Sequence, residues 1–242
     1  GDSHLASSAF TPLPKTLTQV LQAGLNCMQS FSEGYTQWMW ANGGEVVVDE
    51  RLTLDTEPNI EIVTRIKEWL DQQTMNFRLE PHKTGMVVWW DGIITYIQHF
   101  MDVEKGAFDQ VPFPARVGVQ PQGLVNANVV GITQNAKNQD AAWKVFTYLS
   151  REGSQARFAM VHGGVPVRNS LIPAFVKVRR SFGIEGNRFF GTPVAAMRLG
   201  DRVPEVVETV VHEEIASVWN GKKNAREALA EATRRGNALL DQ

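Results

Sequence analysis

The stretch NVVGITQNAKNQDAAWKVFTYLSREGSQ, residues 128–155, contains an apolar run, a polar turn and a helical pattern in direct succession. The opening NVVGI is rich in β-branched residues and predicts a strand. A helix is predicted next, and its apolar face would be formed by Ala142, Val145, Phe146 and Leu149. Gly153 marks the end of that helix. A strand followed by an amphipathic helix is typical of an α/β protein.

Three further helices are predicted from their end signals and apolar spacing. One has Pro58 in its first turn, and a second begins at Pro204 and ends before Gly221. The last helix opens with the capping-box pair Asn224 and Glu227. The buried face of the second helix is predicted to hold Val207, Val210, Val211, Ile215 and Val218.

Short β-rich runs lie between the helical segments. They occupy residues 45–48, 85–90, 115–119, 128–132 and 164–168. Helices interleaved with short strands favour an α/β fold class.

Composition excludes several classes of protein. The 242 residues carry a formal charge of −2, which gives no electrostatic case for nucleic acid as a partner. No apolar run approaches the roughly 20 residues of a membrane-spanning helix. Cys27 is the sole cysteine, so an internal disulfide and a cysteine-based metal site are excluded. Residues 1–11 resemble a tag or a processed, disordered start, and we leave them out of the fold prediction.

Motifs for catalysis are missing from the sequence. His212 and Glu213 begin like a zinc-protease helix, but Ala216 stands where the second histidine is required. Neither a nucleophile elbow nor a phosphate-binding glycine loop is present. Glu33 and Asp91 could act as paired acids in a glycosidase, but no motif supports this alternative. We therefore expect a protein that is not an enzyme and that uses no metal or cofactor.

Aromatic residues are the distinctive feature of the chain. Seven tryptophans are many for this length, and Trp38, Trp40, Trp89 and Trp90 stand beside polar residues. Aromatic rings stack on the C–H faces of sugars, while carboxylates and amides bind the hydroxyl groups, which favours a carbohydrate site. The alternative is core packing, which we expect for the tryptophans in or beside helical stripes, namely Trp40, Trp69, Trp143 and Trp219.

The order of these segments resembles the family 1 extracellular solute-binding proteins of ABC importers, the maltodextrin-binding-protein-like group. The similar segments are PLPKTLTQVLQA (12–23), YTQWMWANGGEVVVDE (35–50), KTGMVVWWDGI (83–93), residues 128–155, HGGVPVRNSL (162–171) and VWNGKKNAREALAEATRRGNALL (218–240). The resemblance covers residues 12 to 242, almost the whole chain. Six segments in the family's order carry a resemblance that no one of them would carry alone.

The resemblance implies a type II periplasmic-binding-protein-like fold, with ligand held between two lobes. Residues 12–126 and 165–242 would form the second lobe, and residues 127–164 the returning segment of the first lobe. The opening part of the first lobe has no counterpart in the sequence. A truncated sequence and a second chain that supplies the missing part are the alternatives.

The resemblance also implies the ligand-binding residues. The turn after residues 85–88 would project an aromatic ring onto a sugar, which makes Trp89, Trp90 and Asp91 candidates, with Trp90 preferred. Candidates for another wall of the site are Glu33, Tyr35 and Trp38. The alternative to a ligand-binding role for these residues is an aromatic cluster over the core. Asn126, Asn128 and Arg168 are further candidates, because they lie where the chain would cross the hinge between the lobes. The alternative role of Arg168 is a structural ion pair.

The function implied is non-enzymatic capture of a mono- or oligosaccharide for an ABC permease in the membrane. The location would be periplasmic or extracellular, and a membrane-anchored lipoprotein would fit this location. The alternatives are another small solute, such as a polyol or a phosphodiester, and a lobe kept as an interaction or scaffold module. Apolar side chains of residues 129–164 would lack a partner, so we expect association between copies, a second polypeptide or loose packing of this segment. We also expect weak sugar binding, because the opposite wall of the cleft would be missing.

Overall fold

The computed structural model describes residues 25–27, 34–76, 86–88, 113, 115–120, 122–125, 129–162, 164–181, 196–199 and 203–242. The helices are α1 (Thr36–Ala41), α2 (Glu57–Asp71), α3 (Gln139–Leu149), α4 (Glu152–His162), α5 (Ile172–Ser181), α6 (Glu205–Trp219) and α7 (Ala225–Leu240). A 3₁₀ turn, Asn169–Leu171, precedes α5. The strands are β1 (Leu25–Cys27), β2 (Val47–Val48), β3 (Arg51–Leu52), β4 (Met75–Asn76), β5 (Met86–Val88), β6 (Gln122–Val125) and β7 (Ala196–Leu199).

The chain divides into two compact units. The large unit consists of Pro12–Trp89, Pro112–Val125 and Val194–Gln242. The small unit consists of Gly1–Thr11, Trp90–Val111 and Asn126–Pro193.

This division differs from the predicted lobes, although both place a boundary near residue 126. Trp90–Val111 and residues 165–193 group with the small unit rather than with the large one. Contacts of the described residues explain the second of these differences. Arg168 donates to the Ser150 carbonyl, and Ser170 Oγ donates to Glu152 Oε1 at 2.8 Å. These bonds attach the segment before α5 to the start of α4.

Parallel strand pairs of the large unit confirm the α/β class. β1 pairs in parallel with both β4 and β5, which gives the order β4-β1-β5. β6 pairs in parallel with β7. β2 and β3 form a short antiparallel hairpin, in which Val47 pairs with Leu52.

Three predicted strands are absent where the described residues reach them. Residues 115–119 form a turn, in which Gly118 adopts a positive φ of 88° and the Val119 N–H donates to the Arg116 carbonyl. Positive φ suits glycine and does not continue a strand. The described part of the run at 128–132 contains no strand either, and the same holds for the run at 164–168.

The core of the large unit lies among α1, α2, α6 and α7. The predicted valine face of α6 is confirmed, since Val207, Val210, Val211, Ile215 and Val218 are all buried. The predicted capping box of α7 is also confirmed, because Asn224 and Glu227 bond reciprocally. Helical spacing of one turn also predicts an ion pair of Glu61 with Arg65, and this prediction is wrong. Glu61 instead accepts from Arg116.

Close packing fixes the loop that follows α1. Asn59 is fully buried and donates to the carbonyls of Glu45 and Thr53 at 2.7 and 3.2 Å. A Cβ added to Gly44 would lie 1.9 Å from Asn59 Oδ1. The glycine is therefore required for the approach of this loop to α2.

Helix α7 holds the β2–β3 hairpin through its polar side. Asn237 bonds both backbone groups of Leu52, accepting from its N–H at 2.8 Å and donating to its carbonyl at 3.0 Å. A Cβ on Gly236 would lie 2.3 Å from Leu52 Cδ1. An exposed ion pair between Arg51 and Asp241 lowers the pKa of the Asp241 carboxyl.

Candidate functional site

The aromatic turn predicted to contact ligand follows a parallel strand. β5 ends at Val88, and Cys27 of β1 is its partner in register. Trp89, Trp90 and Asp91 come next in sequence and lie outside the described residues. Ligands of open α/β sheets bind beyond the carboxyl ends of the strands, so the position of this turn in the chain suits a binding role.

The predicted asparagines occupy an equivalent place after another parallel strand. β6 ends at Val125, and its partner in register on β7 is Leu199. Asn126 follows directly and Asn128 comes two residues later, both outside the described residues. Glu33 also lies outside them. These three candidates therefore stay predictions.

Tyr35 lies in the core of the large unit. The side chain is 1% exposed, and its hydroxyl accepts a hydrogen bond from Trp219 Nε1 at 3.0 Å. The Tyr35 ring stacks near His212, with a centroid separation of 6.5 Å. The phenol thus joins α1 to α6.

Trp38 is equally buried, at 1% exposure. Its ring meets Trp69 of α2 at 5.7 Å between centroids and the edge of Phe113 at 4.8 Å. Aromatic pairs at these distances contribute about 0.5–1.5 kcal/mol beyond their burial. A ring enclosed in this way has no face left for a sugar in this conformation. The geometry of Tyr35 and Trp38 matches the alternative of an aromatic cluster over the core.

Arg168 makes a structural contact within the small unit. Its Nε and Nη2 both donate to the Ser150 carbonyl, at 3.2 and 2.6 Å. Ser150 is the C-terminal cap of α3, where a cation also interacts favourably with the helix dipole. The alternative foreseen for this residue was an ion pair. The observed partner is a backbone carbonyl.

Helix α3 differs most from its prediction. Ala142, Val145, Phe146 and Leu149 were expected to face a core, yet no residue of α3 is buried. Trp143, which we expected in the core, is 61% exposed. Its ring stacks on Phe146 at 5.6 Å with an interplanar angle of 18°. The core packing expected of Trp40 and Trp69 is confirmed, at 2% and 6% exposure.

A shallow depression lies beside Trp143 on the small unit. Its volume is about 400 Å³, and it is lined by Ile132, Thr133, Gln134, Gln139, Asp140 and Trp143. An aromatic ring, two amides and a carboxylate meet here, a combination that the sequence analysis did not single out. Helical spacing alone could have placed Asp140 and Trp143 on one side of α3.

Charged side chains form a compact network in the large unit. Glu214 is 5% exposed and accepts from Lys223 Nζ at 2.5 Å and from Arg235 Nη1 at 2.6 Å. The network joins α6 to α7 and suits a structural role. Within the described ranges, no three histidine, cysteine or carboxylate side chains gather into a group that could hold a metal ion. No helix among the described residues is long and apolar enough to cross a membrane.

Solved structures share this fold over nearly the whole chain. The cyclic alpha-maltosyl-1,6-maltose binding protein of Arthrobacter globiformis aligns with a TM-score of 0.71 at 15% identity, over 94% of this chain and 64% of its own. The GacH receptor of Streptomyces glaucescens, solved unliganded and with acarbose, aligns with a TM-score of 0.75 at 18% identity, over 100% and 68%. An ABC transporter solute-binding protein of Agrobacterium radiobacter in complex with ribitol aligns with a TM-score of 0.64 at 18% identity, over 98% and 68%. The chain thus spans about two thirds of the length of these proteins.

Sequence comparison gives a shorter match. The sn-glycerol-3-phosphate-binding periplasmic protein UgpB of Pectobacterium atrosepticum is 57% identical over 44 residues, which cover 18% of this chain and 10% of that protein. No protein-family profile matches the chain. The long structural alignments and the parallel strands agree on the architecture. The chain has the type II periplasmic-binding-protein-like fold of these solved structures.

Proposed function

We propose that this chain captures a carbohydrate or polyol reversibly and without covalent chemistry, for delivery to an ABC permease. The observation that carries the proposal is the fold, which the chain shares with a cyclic alpha-maltosyl-1,6-maltose binding protein and with proteins solved in complex with acarbose and with ribitol. Its placement would be periplasmic or extracellular, where such a protein meets its solute. A catalytic role has no support from any motif in the sequence.

The aromatic turn is the proposed contact with the solute. Trp90 would stack on the apolar C–H face of a sugar ring, and Asp91 would accept hydrogen bonds from its hydroxyl groups. Asn126 and Asn128 would add amide donors and acceptors. We leave Tyr35 and Trp38 out of the proposed contacts, because both side chains are buried in the core of the large unit. Arg168 is also set aside, because its guanidinium bonds the Ser150 carbonyl.

A phosphorylated polyol is the second candidate solute. The 57% identity to an sn-glycerol-3-phosphate-binding protein favours it, although only over 44 residues. Glu33 and Asp91 argue against an anionic solute, since a carboxylate repels phosphate unless a cation lies beside it. Neutral sugars and polyols therefore remain the first choice.

Calorimetric titration of a solute panel tests the proposal. Maltose, maltotriose, ribitol and sn-glycerol-3-phosphate would be titrated into the purified chain at two salt concentrations. We expect saturable binding of a neutral sugar or polyol, with little dependence on salt. Preferential binding of sn-glycerol-3-phosphate that weakens with salt would support the second candidate, because ionic contacts are screened. Heat of binding from none of the four would favour the interaction-module alternative.

A further inference from the structure

Two asparagines of the chain are each followed directly by a glycine, and they are Asn42 and Asn220. In such a pair the backbone nitrogen of the glycine can attack the asparagine side chain, because glycine has no side chain that would hinder the approach. The attack requires access of water, a side chain that is free to rotate and room for the backbone to turn. The surroundings of the two asparagines differ in all three respects.

Asn42 is held in place after α1. Its side chain is half-buried, and its Nδ2 donates to the Pro58 carbonyl at 2.6 Å. The Gly43 N–H donates to the Trp40 carbonyl at 2.9 Å. A Cβ added to Gly43 would lie 3.3 Å from Val119 Cγ2, so the backbone has little room to turn. Rotation of the Asn42 amide towards the Gly43 nitrogen would break its bond to α2.

Asn220 lies in an open environment at the end of α6. It is the C-terminal cap of that helix and is exposed. Its side chain makes no hydrogen bond to any residue that the structure describes. Gly221 has a positive φ of 69°, and a Cβ added there would meet no atom within 4 Å. One bond of 3.0 Å to the Val218 carbonyl holds the Gly221 N–H, and such bonds at exposed helix ends open at little cost.

We propose that Asn220 is a site of spontaneous deamidation in the folded chain, and that the fold protects Asn42 from the same reaction. The Gly221 nitrogen loses its proton to hydroxide or water and attacks Cγ of Asn220. The new N–Cγ bond closes a succinimide ring, while the Cγ–Nδ2 bond breaks and the nitrogen leaves as ammonia after it takes up a proton. Water then opens the ring at one of its two carbonyl carbons. The product is aspartate or isoaspartate, and the reaction consumes only water.

The modification would disturb the connection between α6 and α7. Either product places a carboxylate at the C-terminal end of α6, where the helix dipole disfavours negative charge. Isoaspartate also lengthens the backbone by one carbon atom. The N–H groups of Lys222 and Lys223 donate to the Ser217 carbonyl at 2.9 and 3.3 Å, and Lys223 Nζ pairs with the buried Glu214. A longer backbone would displace these groups, so we expect the modified chain to be less stable.

Mass spectrometry of the whole chain, kept in warm and mildly alkaline buffer and digested with trypsin at intervals, tests the proposal. The tryptic peptide of residues 203–222 contains Asn220 and no other asparagine. We expect this peptide to gain the mass difference between asparagine and aspartate. Conversion should be at least about tenfold faster at Asn220 than at Asn42, because an exposed helix end opens more easily than a packed loop. Asn220→Gln should remove the rapid change from this peptide.

The same incubation in guanidinium chloride separates the effect of the fold from that of the sequence. The unfolded chain lacks the contacts of both loops, so Asn42 and Asn220 should convert at similar rates there. Equal rates in the folded chain, faster conversion at Asn42 or an unchanged Asn220 would overturn the proposal. A difference between the two sites that persists in the unfolded chain would overturn it too, because the protection of Asn42 would then not come from the fold.

Thermal denaturation tests the structural consequence. The modified chain carries one more negative charge, so anion exchange separates it from the unmodified chain of the same aged sample. We expect the modified chain to have the lower melting temperature. The Asn220→Gln chain, aged in the same way, is the control and should keep the melting temperature of its fresh sample. An equal melting temperature of the two separated forms would contradict the role given to the connection between α6 and α7.

Discussion

At the scale of single residues, the environment of each tryptophan shows whether it packs in the core or is exposed. The residue type alone does not show this. Trp38, Trp40 and Trp69 are buried in the large unit, whereas Trp143 is 61% exposed. A buried ring stabilises the fold, and an exposed ring is available to a solute or a partner. Substitution at these positions should therefore change either stability or binding, and rarely both.

Trp90→Ala should weaken solute binding by about 1–3 kcal/mol, or roughly 5- to 150-fold. The physical reason is loss of the proposed ring face that stacks on the solute. The melting temperature without solute should change little. Calorimetric titration and thermal denaturation of the same sample measure both quantities. A large loss of stability with unchanged affinity would assign Trp90 to the core.

Trp69→Ala is the opposite case and serves as the control for Trp90. Trp69 is 6% exposed and packs against Trp38. Truncation of a buried aromatic ring costs about 3–5 kcal/mol of the free energy of unfolding. Denaturant unfolding should show this loss, while any solute affinity of the folded fraction stays the same.

Tyr35→Phe should lower the free energy of unfolding by about 0.5–1.5 kcal/mol and leave solute affinity unchanged. The substitution removes the hydroxyl that accepts from Trp219 Nε1 and keeps the buried ring. Urea denaturation and calorimetry give the two values. If affinity fell while stability held, Tyr35 would return to the list of solute contacts.

At the scale of secondary-structure elements, α7 acts as a third partner for the β2–β3 hairpin. Asn237 bonds both backbone groups of Leu52, as a neighbouring strand would. Thr233 Oγ1 accepts from the Leu54 N–H at 3.2 Å. Gly236 lets the hairpin approach the helix closely. This short hairpin therefore depends on α7 for its stability.

Asn237→Ala should destabilise the chain by about 1–3 kcal/mol, because a partly buried donor and acceptor of Leu52 lose their partner. Hydrogen exchange of the Leu52 amide should accelerate together with the loss of stability. Arg234→Ala on the same helix is the control. It removes an exposed pair with Glu231 and should change stability by less than about 1 kcal/mol. Equal effects of the two substitutions would refute the role given to Asn237.

The elements also show which predictions local sequence can support. The valine face of α6 and the capping box of α7 were predictable, because periodicity and caps act within a few residues. The strand predicted at 115–119 failed because Gly118 turns the chain there. Helix α3 was predicted in its position but not in its burial. An apolar face shows that a helix needs a partner, and local sequence cannot show whether one is present.

The candidate site was predictable to a smaller extent. The strand predicted over 85–90 corresponds to β5 (Met86–Val88), which ends directly before Trp89, and the aromatic turn itself stays a prediction. The roles of Tyr35 and Trp38 did not follow, since a cleft wall and an aromatic core cluster share the same residue types. Contacts with Phe113 and Trp219, which lie far away in sequence, decide between the two. Such contacts depend on tertiary packing, which local patterns do not encode.

At the scale of the whole molecule, capture without chemistry is the proposed behaviour. Oligosaccharides incubated with the chain should therefore remain intact, because no motif supplies an acid–base pair or a nucleophile. Chromatography of maltotriose over several days measures this directly. Time-dependent cleavage that disappears in Glu33→Gln would establish a glycosidase instead.

Fluorine NMR of the chain labelled with 5-fluorotryptophan tests the central claim, that this fold binds a polyhydroxylated solute at its aromatic turn. Each of the seven tryptophans gives one resonance, assigned by single Trp→Phe substitutions. Titration with the solute panel should shift the Trp90 resonance, and that of its neighbour Trp89, along a saturable curve. The resonances of the buried Trp38, Trp40 and Trp69 should stay in place. A spectrum that no solute in the panel changes, or one in which Trp143 alone responds, would contradict the account.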